Sequence, residues 1–288
     1  MPPCGRSGAS WATRRLPNTA VASSRPPATG CSSNSRVPAA WLLVYEVADS
    51  MAERFAAYDS RGYRTLDVAA GYAAWAPSYD ATMDDRLDLP LLGSLASVEW
   101  DSAADAVDLA CGTGRIGAWL KDRGVRRVDG VDTSAMMLER AATKCIYDRL
   151  ICADITATGL GATCYDLAIS SFAVCHLDDL YRFYGEAARL IRPRGRVVLV
   201  DYHPFMLLKG VPTHFNAPSG EPIAIANVVH LFGDHAAAGH RAGLDLLELR
   251  EQLVDAEWVD QNRRLFGEPR LASHVGHPVS FAMVWARD

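Results

Sequence analysis

Residues Asp105 to Arg115 read Asp-Ala-Val-Asp-Leu-Ala-Cys-Gly-Thr-Gly-Arg, and this stretch decides the fold of the chain. The apolar run Ala106–Ala110 predicts a short strand. Gly112 and Gly114 predict a tight turn after it, and Ile116–Leu120 continues in a helical pattern. A strand, a glycine turn and a helix in this order predict a ligand-binding corner. Glycine lets the backbone approach a ligand closely, and the free N–H groups of the helix point at it.

Two kinds of ligand fit this corner. Asp108 puts a carboxylate inside the strand, which is costly unless a cationic or hydrogen-bonding group satisfies it, and a ligand with an ammonium group would do so. Gly112, Gly114 and Gly117 also fit the G-x-G-x-x-G fingerprint of dinucleotide-binding folds. Asp132 lies about 20 residues further on, where that fingerprint has its ribose-binding acid. The glycine pattern alone leaves both ligands open.

Strands and helices alternate regularly after this corner. The predicted strands are Ala106–Ala110, Arg127–Asp132, Arg149–Asp154, Tyr165–Ser171 and Val197–Tyr202. The predicted helices are Ile116–Leu120, Ser134–Thr143 and Leu177–Leu190, with a turn at Arg192–Gly195. Short strands alternating with helices predict a parallel sheet that is covered on both faces. The rest of the pattern predicts a helix at Val229–Arg241 and two closing strands at Leu244–Glu251 and Val279–Ala286.

Several motifs resemble those of one enzyme family. Asp108 with its Gly-x-Gly turn resembles the first motif of class I S-adenosylmethionine (SAM)-dependent methyltransferases. Tyr72–Asp80 resembles the lead-in of ubiquinone-type methyltransferases, and Ser170–Asp178 resembles the family's fourth motif. The closing hairpin also resembles the end of the family's sheet. The resemblance implies an α/β fold with a doubly wound, Rossmann-like, seven-stranded sheet. This sheet is mostly parallel with an antiparallel last strand, and an N-terminal helical lid accompanies it.

The chain divides into two parts by composition. Residues 1–50 are rich in Pro, Ser, Ala and Gly without a sustained period, which predicts a disordered N-terminal extension. The resemblance implies a methyltransferase domain over residues 51–288. Within it we expect a helical lid at residues 51–97, beginning with a helix at Ala52–Tyr58, and a substrate-side insertion at residues 203–228.

The resemblance implies SAM as the cofactor, held largely at the ends of the strands. Asp132 ends the second strand, where a carboxylate can accept both ribose hydroxyls, although it also suits the N-cap of the next helix. Asp154 ends the third strand, where the family has an acid that binds the adenine amino group. The predicted cofactor-binding residues are Tyr79, Asp108, Ala110, Gly112, Gly114, Asp132, Thr133, Asp154, Ile155 and Ser171.

The acceptor side of the site is predicted in the segment after the fifth strand. Residues 203–228 have no period, yet they are too apolar for a solvated linker, so we expect them to fold over the site with the lid near Tyr79. Imidazole is suited to removing a proton at neutral pH. The candidate catalytic bases are His203, His214 and His230. His176 is interpreted as a satisfied residue behind the site, and Trp75 as a core aromatic. Lid and core roles for Tyr79 both stay open.

Composition excludes several other classes of function. The chain has 288 residues and a net charge of −5, which argues against nucleic acid as a partner. The apolar run Ala39–Tyr45 is far too short to span a membrane. Seven cysteines form no C-x-x-C pair, so we expect neither a disulfide framework nor a metal site. A reducing cytoplasm is the predicted location.

The prediction for function is SAM-dependent methyl transfer to a small molecule, at oxygen, carbon or nitrogen. Two alternatives stay open, namely an NAD(P)-dependent dehydrogenase that uses the same glycine turn and a non-catalytic SAM-binding protein. The absence of a Tyr-x-x-x-Lys pair after the fourth strand removes one common dehydrogenase chemistry. The sequence leaves the acceptor and the oligomeric state open.

Overall fold

The computed structural model of the chain describes residues 53–267 and 270–288, so the extension predicted at residues 1–50 lies outside the described residues. The described strands are β1 (Glu53–Arg54), β2 (Arg64–Leu66), β3 (Asp105–Leu109), β4 (Arg127–Asp132), β5 (Arg149–Cys152), β6 (Tyr165–Ser171), β7 (Ile191–Tyr202), β8 (His214–Asn216), β9 (Pro222–Ile225), β10 (Val228–Val229), β11 (Leu244–Leu253) and β12 (Pro278–Arg287). The described α-helices are α1 (Val68–Trp75), α2 (Tyr79–Thr82), α3 (Leu89–Gly93), α4 (Arg115–Asp122), α5 (Ala135–Thr143), α6 (Leu180–Leu190), α7 (Pro204–Leu208), α8 (Phe232–Arg241) and α9 (Ala256–Phe266).

Seven of the described strands form one sheet, in the order β11-β12-β7-β6-β3-β4-β5. The strands β3 to β7 pair in parallel, and β12 runs antiparallel between β7 and β11. This arrangement confirms the predicted doubly wound sheet with its antiparallel last strand. The chain leaves β3 toward β4 on one side and returns to β6 on the other. Ligands of α/β sheets bind at the carboxyl ends of the strands beside such a reversal, which points to the ends of β3, β4, β5 and β6.

Helices cover both faces of this sheet. On one face α6 and α8 pack against it through residues such as Phe183 and Ala238. On the other face α3 and α4 pack through Leu92 and Trp119. Burial of a large side chain such as Phe183 or Leu92 stabilises the fold by about 1.5–3 kcal/mol. Since α3 lies within residues 51–97, the end of the predicted lid is in fact a layer of the core.

The predicted strand bounds match the structure for β4 and β6 and differ elsewhere. β3 ends at Leu109, because Ala110 has a φ of 63°, which is left-handed and cannot continue a strand. β5 ends at Cys152 rather than at Asp154. The carboxylate of Asp154 instead accepts the N–H of Thr156 at 2.8 Å, so this residue starts a turn after the strand.

β7 is longer than the sequence predicts. It begins at Ile191, which pairs with Tyr165, whereas the next aligned pair joins Leu167 to Arg196. Residues 192–195, predicted as a turn, therefore bulge out of the strand between these two pairs. These residues are of types that favour a turn. The chain nevertheless resumes the same strand after them, because a bulge accommodates extra residues without ending the pairing.

The N-terminal segment is helical only in part, because it pairs with the segment after β7. β2 lies parallel to β9 and β8 lies antiparallel to β9, and these three strands form what we call the small sheet. β1 pairs with β10. The helix predicted at Ala52–Tyr58 is therefore wrong over its described residues, which form β1 and a 3₁₀ turn at Phe55–Ala57. The helix predicted from Val229 starts at Phe232 for the same reason.

Helix α9 has no counterpart in the sequence prediction. Its N-cap is Asp255, whose carboxylate accepts the N–H of Trp258 at 2.6 Å, and it ends at Gly267, which has a φ of 73°. Both capping signals are visible in the sequence. None of the helices within residues 53–267 and 270–288 has the length and apolar character needed to cross a bilayer.

Candidate active site

The glycine turn after β3 presents open backbone to a ligand. Ala110, Gly112 and Gly114 have φ values of 63°, 53° and 93°, so three residues of the turn are left-handed. A Cβ atom built on Gly112 would meet nothing within 4 Å. Gly114 is the N-cap of α4, and the first N–H groups of that helix have no partner within the helix. The turn therefore offers donors and free space at the carboxyl end of β3.

Asp132 braces this turn from the neighbouring strand. Its two carboxylate oxygens accept the N–H of Gly112 and the N–H of Ser134, each at 2.8 Å. The side chain is buried, and this burial raises the pKa of the Asp132 carboxyl. The N-cap of α5 is Ser134, not Asp132. The carboxylate is thus fixed between the two strand ends, as a ribose-binding acid would have to be.

Asp108 lies beneath the turn and is only 1% exposed. One of its oxygens accepts the hydroxyl of Tyr147 at 2.7 Å, and the other has no partner among the described residues. Burial raises the pKa of Asp108 to about 7. The sequence did not single out Tyr147, which closes the space on one side of the carboxylate. The unpaired oxygen of Asp108 is a buried acceptor at the predicted ligand site.

The remaining predicted cofactor residues stand at the ends of β4 and β5. Thr133 is exposed directly after β4. Asp154 is also exposed, whereas Ile155 is buried beside it. A polar residue facing outward next to a buried apolar one suits a ligand that has a polar edge and an apolar ring face.

Arg115 ties the glycine turn to the N-terminal segment. Its guanidinium holds both oxygens of Asp88, at 2.8 and 3.1 Å, and its Nε donates to Asp85 at 2.8 Å. Asp88 is fully buried and also accepts the hydroxyl of Ser171 at 2.8 Å. Burial opposes the charge on Arg115, but the Asp88 carboxylate outweighs it and raises the arginine pKa. Ser171, predicted as a cofactor residue, thus donates to Asp88.

A second ionic contact joins the same two regions. The carboxylate of Asp80 accepts the hydroxyl of Thr113, which lies in the glycine turn, and pairs with Lys144 at 2.8 Å. The neighbouring Tyr79 packs edge-on against Trp75, with ring centroids 4.7 Å apart. Burial raises the pKa of Tyr79 to about 12, so its phenol stays protonated. The N-terminal segment is therefore held over the cofactor side of the sheet at two points.

A cavity of about 770 Å³ lies under this segment. Its walls come from the N-terminal segment, from residues 211–222 and from residues 262–279. The sequence predicted the first two contributions and missed the third. The aromatic residues that line the cavity are Tyr63, Tyr72, Trp75, Tyr79, Phe172, Tyr202 and Phe215. A cavity of this size, with aromatic walls and a few polar groups, is typical of small-ligand sites, which enclose about 300–1,000 Å³.

Comparisons with known proteins assign the chain to a family. Residues 107–199 match the family described as methyltransferase domain. The malonyl-[acyl-carrier protein] O-methyltransferase of Pectobacterium atrosepticum is 36% identical over 254 residues, which cover 78% of this chain and 97% of that protein. The chain belongs to the class I SAM-dependent methyltransferases. SAM is therefore the cofactor of this methyltransferase, and the dehydrogenase and non-catalytic alternatives are set aside.

Further matches to the methyltransferase are shorter or more distant. The protein of the same name from Pseudescherichia vulneris is 33% identical over 131 residues, 45% of this chain and 51% of that protein. The crystal structure of a SAM-dependent methyltransferase from Mesorhizobium loti aligns with a TM-score of 0.52 at 22% identity, over 69% of this chain and 96% of that one. The structural likeness shows a shared fold.

Tyr72 and His176 form a pair at the wall of the cavity. The Nδ1 atom of His176 lies 2.7 Å from the carbonyl of Ala226, so this nitrogen must carry a proton and donate it. The other nitrogen, 2.9 Å from the Tyr72 hydroxyl, then accepts. Burial lowers the pKa of His176 to about 4, which keeps the ring neutral. The sequence interpretation of His176 as a satisfied residue agrees with these contacts, but the role of Tyr72 as its partner was missed.

Of the three histidines predicted as bases, His214 lines the large cavity and the other two do not. His203 is the N-cap of α7: its Nδ1 accepts the N–H of Phe205 at 3.0 Å, and its Nε2 lies 2.8 Å from Glu251. His230 donates to the carbonyl of Leu177 at 2.7 Å and lines a separate space of about 10 Å³, the size of one water molecule. The structure thus places His203 and His230 outside the lining of the large cavity.

Proposed function

We propose that this methyltransferase methylates the carboxylate of an acyl acceptor bound in the large cavity. The observation that carries the proposal is the charge of the lining. Arg61 and Arg270 line the cavity together with one acid, Asp84, whose carboxylate accepts the backbone N–H of Arg86 at 3.0 Å and the indole N–H of Trp258 at 2.7 Å. Two arginines against one hydrogen-bonded acid leave the lining with an excess of positive charge, which favours an anionic ligand. The relative from Pectobacterium atrosepticum is named for a malonyl group, which ends in a carboxylate.

A carboxylate acceptor makes few chemical demands on the residues of the cavity. It is ionised at neutral pH, because an ordinary carboxyl pKa is about 4, and so it needs no base. SAM supplies a methyl group on a positively charged sulfur. The work left to the protein is to orient the acceptor and to exclude water, which is worth several kcal/mol. Tyr72, Tyr79 and Phe172 are the aromatic walls that would do this on the side of the sheet.

The residues of the cofactor corner, meaning residues 108–115 together with Asp132, fit SAM. The space beside Gly112 admits a ligand next to backbone N–H groups. The unpaired oxygen of Asp108 would accept a hydrogen bond from an ammonium group, and the fixed carboxylate of Asp132 would accept from the ribose hydroxyls. Asp154 and Ile155 would contact the adenine ring of SAM, and Thr133 would lie beside it. Tyr79, Ala110 and Gly114 would complete the enclosure.

The test uses the full chain with SAM labelled in its methyl group. The acceptor is malonyl-S-pantetheine, and the control acceptor is butyryl-S-pantetheine, which has a similar length and no carboxylate. We expect label only with the malonyl compound, in a product that releases methanol under mild alkali as a methyl ester does. Equal labelling of both compounds, or no labelling of the malonyl compound, would refute the carboxylate acceptor.

The Tyr72–His176 pair favours a second candidate, methylation of a hydroxyl group. Because the Tyr72 proton is directed at His176, its oxygen presents lone pairs to the cavity and could accept a proton from a hydroxyl acceptor. His176 would then take the Tyr72 proton. Tyr72→Phe separates the two candidates. In this variant, the rate of methyl transfer to a carboxylate acceptor should stay within about threefold of the wild-type rate. The rate of transfer to a hydroxyl acceptor should fall by about 10²-fold or more.

A further inference from the structure

Asn262 occupies a position on α9 where the pattern of the helix calls for an apolar residue. The buried residues of α9 are Trp258, Val259 and Asn262, which share one face because they are spaced three and four residues apart. Trp258 and Val259 pack against the apolar cluster around Met206. Asn262 is equally buried, at 1% exposed, but carries an amide. A polar residue in this position has to be explained by something other than packing.

The side-chain amide of Asn262 has no partner. Neither its oxygen nor its nitrogen makes a hydrogen bond to any described residue. A buried polar group without a partner costs about 1–3 kcal/mol, so the amide destabilises the fold unless something else binds it. Asn262 lines the large cavity, which is where such a partner would be found.

Helix α9 holds this amide in place. Trp258 donates its indole N–H to Asp84 at 2.7 Å, and Arg86 donates to Gln261 at 2.6 Å. Both contacts bind the helix to the turn that follows α2. Asn262 directly follows Gln261 and lies one turn after Trp258, so the helix cannot rotate it into solvent without breaking these contacts. The amide is therefore a fixed group at the cavity wall.

We propose that Asn262 binds an amide group of the acceptor. An asparagine side chain offers a donor and an acceptor and bears no charge. A carboxylate would use the donor and leave the oxygen unpaired, whereas amides of the ligand supply both N–H and C=O groups. The anionic end of the acceptor would then lie toward the arginines, and the amide-bearing chain would lie along α9. The choice of probe rests on the proposed function, since the carrier arm of an acyl-carrier protein contains amides.

The test compares two malonyl thioesters that differ in the amides. Malonyl-S-pantetheine carries two amides, and malonyl-S-ethyl carries none. We expect the full-length enzyme to prefer the first in kcat/KM, and Asn262→Leu to reduce this preference about tenfold, mainly through KM. Arg264→Leu, at an exposed position of the same helix outside the cavity lining, should keep the wild-type preference. An unchanged preference in Asn262→Leu would overturn the proposal.

A binding measurement keeps the proposal testable without turnover. Calorimetry with pantetheine alone should give about tenfold weaker binding to Asn262→Leu than to the wild type, while the melting temperature of the variant stays equal or rises because an unpaired amide has been removed. Equal affinities would overturn the proposal. If the wild type methylates neither thioester, the proposed acceptor is wrong, and the pantetheine affinities alone decide the role of Asn262. Asn262→Met gives the same comparison if the leucine variant does not fold.

Discussion

The cofactor corner and the large cavity belong to one fold but are built in different ways. In the corner, Gly112, Asp132 and Asp154 follow successive strands, so each is placed by its own stretch of sequence. In the cavity, Tyr72, His214 and Asn262 come from three distant segments that meet only in the folded chain. We therefore expect the shared cofactor to be bound by the regular part of the fold and the acceptor to be selected by the irregular part.

The largest expected effect comes from cutting the link between these two regions. Arg115→Met would leave the fully buried Asp88 carboxylate without its bidentate cation. Removing one partner of a buried ion pair costs about 3–5 kcal/mol, which should appear in the free energy of unfolding measured in urea. The control is Arg263→Met, whose pair with Asp260 is largely exposed and should be worth less than about 1 kcal/mol. Similar losses of unfolding free energy in both variants would mean that the buried pair of Arg115 and Asp88 stabilises the fold no more than an exposed ion pair does.

The next effect is the pH dependence of stability that arises from Asp108 in the cofactor corner. Burial raises the pKa of Asp108 from 3.8 to about 7, so the folded state binds this proton more tightly than the unfolded state. The contribution of Asp108 to the stability of the SAM-free protein should therefore fall as pH rises from about 4 to 7, by up to about 4 kcal/mol. Asp108→Asn should remove that part of the slope in urea titrations. Between pH 4 and 6 other groups should still contribute with opposite signs, because burial raises the pKa of Asp201 to about 6 and lowers the pKa of His176 to about 4 and of His235 to about 3. A full slope above pH 6 in Asp108→Asn would contradict the assignment.

A smaller effect tests whether the corner, and not the cavity, binds SAM. Asp132→Ala should weaken SAM binding by about ten- to a hundredfold in calorimetry, because it removes charge-assisted contacts worth about 1.5–3 kcal/mol. Asp148→Ala is the matched control, since Asp148 also braces a backbone N–H, that of Val128 at 2.9 Å, but lies at the other end of β4. Equal SAM affinity in the two variants would place the cofactor elsewhere.

The smallest effect separates structural from catalytic histidines. His203→Ala removes the N-cap of α7, which should lower the free energy of unfolding by about 1 kcal/mol. The turnover rate under saturating conditions should stay within about twofold, because His203 does not line the cavity. A rate loss near 10²-fold without a loss of stability would restore the sequence prediction of a catalytic base.

The sequence predicts the regular part of this fold well for a physical reason. The ranges of β4 and β6 match because each is a short, largely buried segment in an alternating strand and helix pattern, and the turn at Gly112 is marked by its own glycines. Asp132 could be assigned to the site because the carboxyl ends of parallel strands meet at one edge. These signals are local, so a short window of sequence contains them.

The irregular part depends on contacts that no short window contains. Tyr72 and His176 are 104 residues apart in the chain, and the sequence around either residue does not predict its contact with the other. The same holds for β1 and β2, whose partner strands follow β7. Histidine composition drew attention to the chain between β7 and the end of α8, but composition does not give the direction of a side chain. Helix α9 is different, because Asp255 and Gly267 marked its ends in the sequence.

The pairing inside the small sheet also determines the order in which parts of the chain can fold during synthesis. Arg64 contacts Glu221, which is 157 residues later, and among the strands that the structure describes β2 pairs with β9 alone. At about 5–20 residues per second, a ribosome needs roughly 8–30 s to make that interval. During this time the central parallel strands can emerge and pair, whereas β2 must wait. The large cavity is therefore expected to be completed last during synthesis, after the cofactor corner has already formed.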